Sequence, residues 1–367
     1  MERSYLLERL TTTKPGLSNS DLIPILSHYC FTGKRLMTYN DQIAISVPCV
    51  TDFAGAVPGQ LLHSMISGLG DSKLPLEMSI KDDNLVIKYR KSNIKVAIMP
   101  ADAFVFKLPA PDPKAKLQVN MKQLVQAIEM CLRSASDDTT SPETRGVTLI
   151  AKGDQLLLFA TDSATMMHAK IPLQGKAPER TILSVQFCQQ LLALAKDDEK
   201  ASLELHNDYA LLSFTSNSYL FGGLIQSDKV IPFEDTFAQH YNKNVSMVAL
   251  PKRLQEVLNL SVNITGRSDD IYSKEGARSG LTKTKIRVEG GNIFFDSQSF
   301  RGHYTDNIKL PNDANHKDCK SIYVDPRYVY DGCSVFEKIA FTESAIIMTG
   351  SRAIYLVSCS IRPPEEQ

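Results

Sequence analysis

The 367-residue sequence has no net charge: 41 lysines and arginines offset 41 aspartates and glutamates. This excludes a nucleic-acid binder that relies on overall cationic charge, and any such contact has to come from a locally segregated basic surface. No apolar run approaches the roughly 18 residues a membrane span requires, so no membrane partner is expected. The opening stretch MERSYLLERL does not resemble a signal peptide. Catalytic signatures are missing as well. There is no Walker loop and no G-x-G-x-x-G, and GARSG (276–280) lacks nucleophile-elbow spacing. The seven histidines form no metal-ligand spacing with the seven cysteines. Asp82-Asp83 and Asp197-Asp198-Glu199 stand in turn contexts and read as solvated loops rather than acid/base pairs. The expectation is a protein that is not an enzyme and carries no cofactor or metal. The cysteines are odd in number, widely spaced and mostly within apolar segments, which suits reduced core thiols in the cytoplasm.

What the sequence does contain is a repeat. Segments 57–69 (VPGQLLHSMISGL), 183–195 (LSVQFCQQLLALA) and 324–336 (VDPRYVYDGCSVF) overlay without gaps. Apolar residues recur at helical spacing: Leu61, Phe187 and Tyr328; Leu62, Cys188 and Val329; Ile66, Leu192 and Cys333; Leu69, Ala195 and Phe336. The stripe weakens at Met65, Leu191 and Gly332. Pro58, Ser184 and Asp325 mark the helix starts, where a proline or a capping oxygen is favoured.

An earlier helix precedes each of these, clearest where VNMKQLVQAIEMCL (119–132) overlays ALPKRLQEVLNLSV (249–262); YLLERL (5–10) is a looser copy. Strands between the two helices turn around Gly33, Gly153 and Gly290-Gly291. Three short alternating runs follow each second helix, as in LEMSI, LVIKY and IKVAI. The unit is helix, strands, helix, three strands. KLPAPDPKAK (107–116) and IPFEDTFAQHYNKN (231–244) read as joints, giving domains 1–112, 113–238 and 239–367.

Two amphipathic helices covering one face of an antiparallel sheet make an α+β layer. Their outer faces are polar but rarely anionic: Gln60, His63, Ser64 and Ser67; Gln186, Gln189, Gln190 and Lys196; Arg327, Asp331 and Ser334. The first helices and their ends add Arg3, Arg9, Lys14, Lys122, Arg133, Lys252 and Arg253. A solvated helix face explains any one of these. Three copies with the same bias suit a surface for phosphates, binding without regard to base sequence.

With LIPIL (22–26), IMPADAF (98–104) and FATDSATMMHAKIPL (159–173) in matching order, the chain resembles the beta subunit of bacterial DNA polymerase III, the sliding clamp. The resemblance implies the DNA clamp fold and a homodimeric ring around double-stranded DNA. It also implies partnership with a DNA polymerase and a clamp loader. It implies that an edge strand carrying Ile94, Val96 and Ile98 meets a second copy near Val262 and Ile264. It implies further that a hydrophobic pocket for partner peptides uses Thr161, Met166, Pro232, Phe237, Leu356, Ser358 and Cys359.

Departures from the family pattern are local. Ser163-Ala164-Thr165-Met166 replaces the usual Gly-His-Arg-Leu, the tail reads SCSIRPPEEQ, and Ser20 stands where an arginine often does. The strand before the opening helix is lacking, and 268–285 reads as a long loop. Such divergence would suit a clamp encoded by a bacterial virus. A clamp-fold protein that sequesters clamp-binding partners without encircling DNA fits the same sequence.

Overall fold

The computed structural model describes residues 1–20, 22–70, 75–136, 140–195, 200–241, 245–265, 283–299, 302–311 and 318–359. Lys196, Asp197-Asp198-Glu199 and most of the long loop expected at 268–285 lie outside these residues.

The element order repeats three times. The first run is α1 (Arg3–Thr13), β1 (His28–Thr32), β2 (Arg35–Tyr39), β3 (Ile43–Pro48), β4 (Ala54–Pro58), α2 (Gly59–Gly68), β5 (Glu77–Lys81), β6 (Asn84–Tyr89) and β7 (Ser92–Ala97). The second is α3 (Met121–Cys131), β8 (Gly146–Lys152), β9 (Gln155–Thr161), β10 (Thr165–Pro172), β11 (Arg180–Ser184), α4 (Val185–Ala195), β12 (Ser202–Leu205), β13 (Tyr209–Ser213) and β14 (Tyr219–Gly223). The third follows an extra helix α5 (Phe233–His240) and the two-residue β15 (Val248–Ala249). It comprises α6 (Leu254–Thr265), β16 (Thr284–Glu289), β17 (Asn292–Ser299), β18 (Gly302–Lys309), β19 (Cys319–Val324), α7 (Pro326–Cys333), β20 (Lys338–Phe341), β21 (Ala345–Thr349) and β22 (Ala353–Ser358). Gly33, Gly153, Gly290 and Gly291 take positive φ at the turns where glycine was expected.

Contacts divide the chain into two compact units. One comprises Met1–Glu129, Gly146–Leu156 and Pro172–Gln226; the other comprises Met130–Arg145, Leu157–Ile171 and Ser227–Gln367.

In the first unit an antiparallel sheet runs β12-β13-β14-β3-β2-β1-β4. The three strands after α4 therefore do not stand alone: β14 pairs with β3, Leu220 opposite Ile45. Open edges of apolar strands recruit partners, and this pairing removes two of them. Leu6 and Leu10 of α1 and Leu62 and Ile66 of α2 are fully buried, each such burial being worth about 1.5–3 kcal/mol. Tyr29 Oη donates to the carbonyl of Leu10 at 2.9 Å, and Thr38 Oγ1 to that of Thr13 at 2.7 Å, tying α1 to the sheet. Because strand side chains alternate, Cys30 and Met37 point to the opposite face. There they pack with Ile25, Leu26, Ala56 and Phe104, and Tyr39, Phe106 and Leu108 join them. Phe106 lies between Tyr39 and Phe221, with ring centroids at 4.8 and 5.0 Å, so the segment after β7 straps this face. The same unit holds the sheet β5-β6-β7 and the β8–β11 pair.

In the second unit the strands run β10-β22-β21-β20-β15, and β18-β17-β16-β19 form a separate sheet. The helix α7 covers one face of the first sheet. Tyr355 Oη donates to the carbonyl of Tyr328 at 3.3 Å and the Tyr355 ring stacks with Phe336. A Cβ on Gly332 would lie 2.4 Å from Met348 Sδ, so the weak point in the apolar stripe is where the helix comes closest to its sheet. Leu191, which stands in the same column of the repeat, is likewise buried, while Leu61, counted in the stripe, is 45% exposed. The α2 helix seats itself through Leu62 and Ile66, a single i, i+4 row, which turns Leu61 outward.

One expected joint is a helix. Within 231–244, residues 233–240 form α5, with Pro232 at its N-cap, Glu234 and Asp235 in its first turn and His240 in its last.

Candidate functional site

Of the residues assigned to the peptide pocket, Thr161, Met166, Phe237 and Leu356 are buried, Cys359 is half-buried, and Pro232 and Ser358 are exposed. The strands bring several together: Met166 on β10 is directly opposite Leu356 on β22. Ser358 N–H donates to the carbonyl of Ala164 at 2.8 Å, and Cys359 N–H to that of Ser344 at 2.8 Å. Thr161 Oγ1 donates to Thr165 O at 2.6 Å, closing the turn that carries the Ser163-Ala164 departure.

Phe237 belongs to an aromatic cluster that the sequence did not reveal. Phe159 stacks on His168 at 4.6 Å and on Phe233 at 4.8 Å, and Phe237 lies 5.4 Å from His168. The i, i+4 spacing of Phe233 and Phe237 is the signal that would have found it. Burial first, and then the charge of Lys170, lower the His168 pKa to about 4, so the imidazole is neutral at pH 7. Its Nε2 is buried without a hydrogen-bond partner among the described residues.

The residues assigned to DNA contact differ in their surroundings. Arg3 donates from Nε and Nη2 to the carbonyls of Ile66 and Ser67 at 3.0 and 2.8 Å, capping the C-terminal end of α2. Arg9 pairs with Glu8 at 3.0 Å and lies over the Tyr5 ring at 4.7 Å. Arg253 pairs with Asp306 at 3.0 Å and reaches Glu256 at 3.9 Å. Lys14, Lys122, Arg133 and Lys252 are exposed. Burial, then the positive charge of Lys14, hold the His63 pKa below its usual value. Asp331 on α7 sits in the field of Arg133 and Arg327.

Among the residues assigned to the interface, Val96 is buried against its own unit, while Ile94 and Ile98 are half-buried. Ile98 packs on Gly55, and Met99 exchanges backbone hydrogen bonds with Ala56 at 2.8 and 2.9 Å. Val262 and Ile264 lie half-buried on α6. The sequence missed β18, an eight-residue edge strand that pairs on one side only, with β17, among the described residues. Its alternation is muted because only Ile308 is fully apolar and buried.

Burial raises the thiols of Cys30, Cys49 and Cys319 to about 11 and those of Cys333 and Cys359 to about 12, leaving them protonated at neutral pH. Among the described residues no group of histidine, cysteine and carboxylate side chains is placed to hold a metal ion, and no helix is long and apolar enough to cross a membrane.

A thrice-repeated run of helix, four strands, helix and three strands, with β14 paired to β3 and β22 to β10, defines a DNA clamp fold. The fold is that of solved DNA polymerase III beta subunits. The protein from Streptococcus pyogenes superimposes with a TM-score of 0.82 at 18% identity over 99% of both chains. That from Thermotoga maritima gives 0.81 at 17% identity over 99% of both. A Helicobacter pylori beta clamp bound to a DNA ligase peptide gives 0.79 at 19% identity over 98% of both. In sequence the chain is similar to the beta sliding clamp of Helicobacter pylori strain J99, 32% identical over 247 residues, which span 65% of each protein. The clamp of strain 26695 is 30% identical over 255 residues, again 65% of each. No protein-family model matches the chain.

Proposed function

We propose that the protein is a sliding clamp: a non-catalytic subunit that closes with a second copy into a ring around duplex DNA and tethers a polymerase and other DNA-processing proteins. The observation that carries this reading is a pairing rule that the chain satisfies twice and leaves open once. In the first repeat the third strand, β3, pairs with the last strand of the second repeat, β14. In the second repeat the third strand, β10, pairs with the last strand of the third, β22. The strands left over are β18, third in its repeat, and β7, last in the first repeat, and each is a sheet edge. Among the described residues of one chain they have no such partner. Between two copies head to tail, β18 of one and β7 of the other extend the same rule and close the assembly.

On this reading the domains are 1–112, 113–238 and 239–367, and the helices α1 to α4, α6 and α7 face the DNA. Lys14, Lys122, Arg133 and Lys252 supply exposed positive charge, and the contacts are weak and independent of base sequence. Arg3, Arg9 and Arg253 serve chiefly to hold the helices. The clamp loader that opens the ring and the polymerase that rides on it are separate proteins. Their peptides dock at Met166 and Leu356 beside α5, in keeping with the ligase peptide bound to the Helicobacter pylori clamp. Solution mass tests the assembly. A particle of twice the 40.7 kDa chain is expected, and a stable monomer at micromolar concentration contradicts it.

A further inference from the structure

A cavity opens on the strands that carry Met166 and Leu356. It has a volume of about 440 Å³ and is lined by His168, Lys170, Tyr241, Lys338 and Arg352, with the β21–β22 turn at Thr349, Gly350 and Ser351. Register fixes its place. On β10 and β22 the opposed pairs run Met166–Leu356, then Met167–Tyr355, then His168–Ile354. Since side chains alternate, Met166, Leu356, His168 and Ile354 share one face, and Tyr355 lies on the other, against α7. The cavity therefore begins about 7 Å along the strand from the proposed peptide pocket, on the same face and away from the helix.

Its charge is one-sided. Lys170, Lys338 and Arg352 are exposed and make no ion pair or side-chain hydrogen bond among the described residues, and Glu337 is the single carboxylate in the lining. Three cations around one concavity repel one another, a cost that an anionic occupant relieves. His168 adds an unpartnered Nε2 held between Phe159 and Phe237, and Tyr241 continues the Phe233–Phe237 row of α5 to the cavity mouth.

Resting on the peptide-pocket reading above, we propose that this cavity takes the acidic flank of a partner peptide whose apolar end occupies the pocket at Met166 and Leu356. Lys170, Lys338 and Arg352 meet its carboxylates. A protein segment suits the site better than nucleic acid, because the helix assigned to the DNA side, α7, covers the opposite face of these strands. The consequence is selection among partners by charge: of two peptides with equal apolar anchors, the one with glutamates beside the anchor binds tighter.

The test is fluorescence anisotropy on the full chain with two labelled probes, a peptide with a Leu-Phe anchor flanked by three glutamates and the same peptide with three glutamines. The acidic probe is expected to bind about five- to tenfold tighter at low salt, with the advantage fading as salt is raised. The triple variant Lys170→Glu, Lys338→Glu, Arg352→Glu should abolish the advantage and leave the glutamine probe unchanged. Equal affinities in the parent protein, or an advantage that survives in the triple variant, would overturn the proposal. Binding of neither probe overturns the pocket reading itself and the proposal with it. Displacement of the acidic probe by a short duplex DNA, lost in the triple variant, assigns the cavity to phosphate instead and likewise overturns it.

Discussion

Leu220 on β14 and Ile45 on β3 are directly opposed across one antiparallel ladder, and both are essentially without solvent exposure. The last strand of the second repeat is thus part of the first repeat's core, so stability is shared across the joint. Leu220→Ala should cost about 2–5 kcal/mol, read as a lower urea midpoint, with helix and sheet signals of the first unit lost together. A separate early transition for residues 202–223 would show that the joint is not part of that core.

The open edges make a sharper prediction. Ile98 N–H donates to the carbonyl of Asp83, so on β7 the even-numbered residues face β6 and Lys95 presents its N–H to the free side. Leu310 N–H likewise donates to Gly291 O, which places the Thr305 N–H on the free side of β18. Lys95→Pro or Thr305→Pro removes an outward donor without touching the inner ladder. Each variant should be a folded monomer in sedimentation, with unchanged circular dichroism. Dimers of normal stability in both would show that these strands do not meet.

The seven candidate DNA contacts should separate into two groups. Lys14→Ala, Lys122→Ala, Arg133→Ala and Lys252→Ala should weaken DNA binding and each lower the slope of log affinity against log salt by about one or less. Arg3→Ala should instead lower thermal stability, because two carbonyls at the end of α2 lose their donor. Titrations of the single variants at several salt concentrations check both.

His168 predicts how the fold responds to acid. Its pKa falls from 6.5 to about 4 on folding, so between those values the unfolded chain binds more protons and stability rises with pH. Lowering pH from 7 to 4 should therefore cost the parent up to about 3 kcal/mol through this residue. In His168→Phe, which keeps a ring between Phe159 and Phe237, that part of the pH dependence should disappear. Parallel pH profiles of the two urea midpoints would contradict the buried neutral imidazole.

Much of this architecture is legible in the sequence because the repeat multiplies weak signals. The columns headed by Leu62 and Ile66 carry helical periodicity in three copies, and the alternating runs after each second helix all form strands. Elements without that support were harder to see. The helix α5 spans eight residues, and its two buried phenylalanines sit among Glu234, Asp235 and Thr236, so composition resembles a joint. In β18 the residues His303, Thr305, Asn307 and Lys309 are exposed and Tyr304 and Asp306 only half-buried, which blurs the period of two. Gly332 reads as a gap in an apolar stripe until the approach of Met348 is known. The aromatic cluster at His168 is assembled from β9, β10 and α5, and its one linear trace is the i, i+4 spacing of Phe233 and Phe237.

The central claim is that DNA is held by enclosure rather than by affinity. Retention of the loaded protein on nicked circular DNA, followed by gel filtration before and after the circle is cut, measures this directly. The account predicts protein that stays with the circle in high salt and slides off the linear product. Equal retention on both, or none on the circle once a loader has acted, would contradict it.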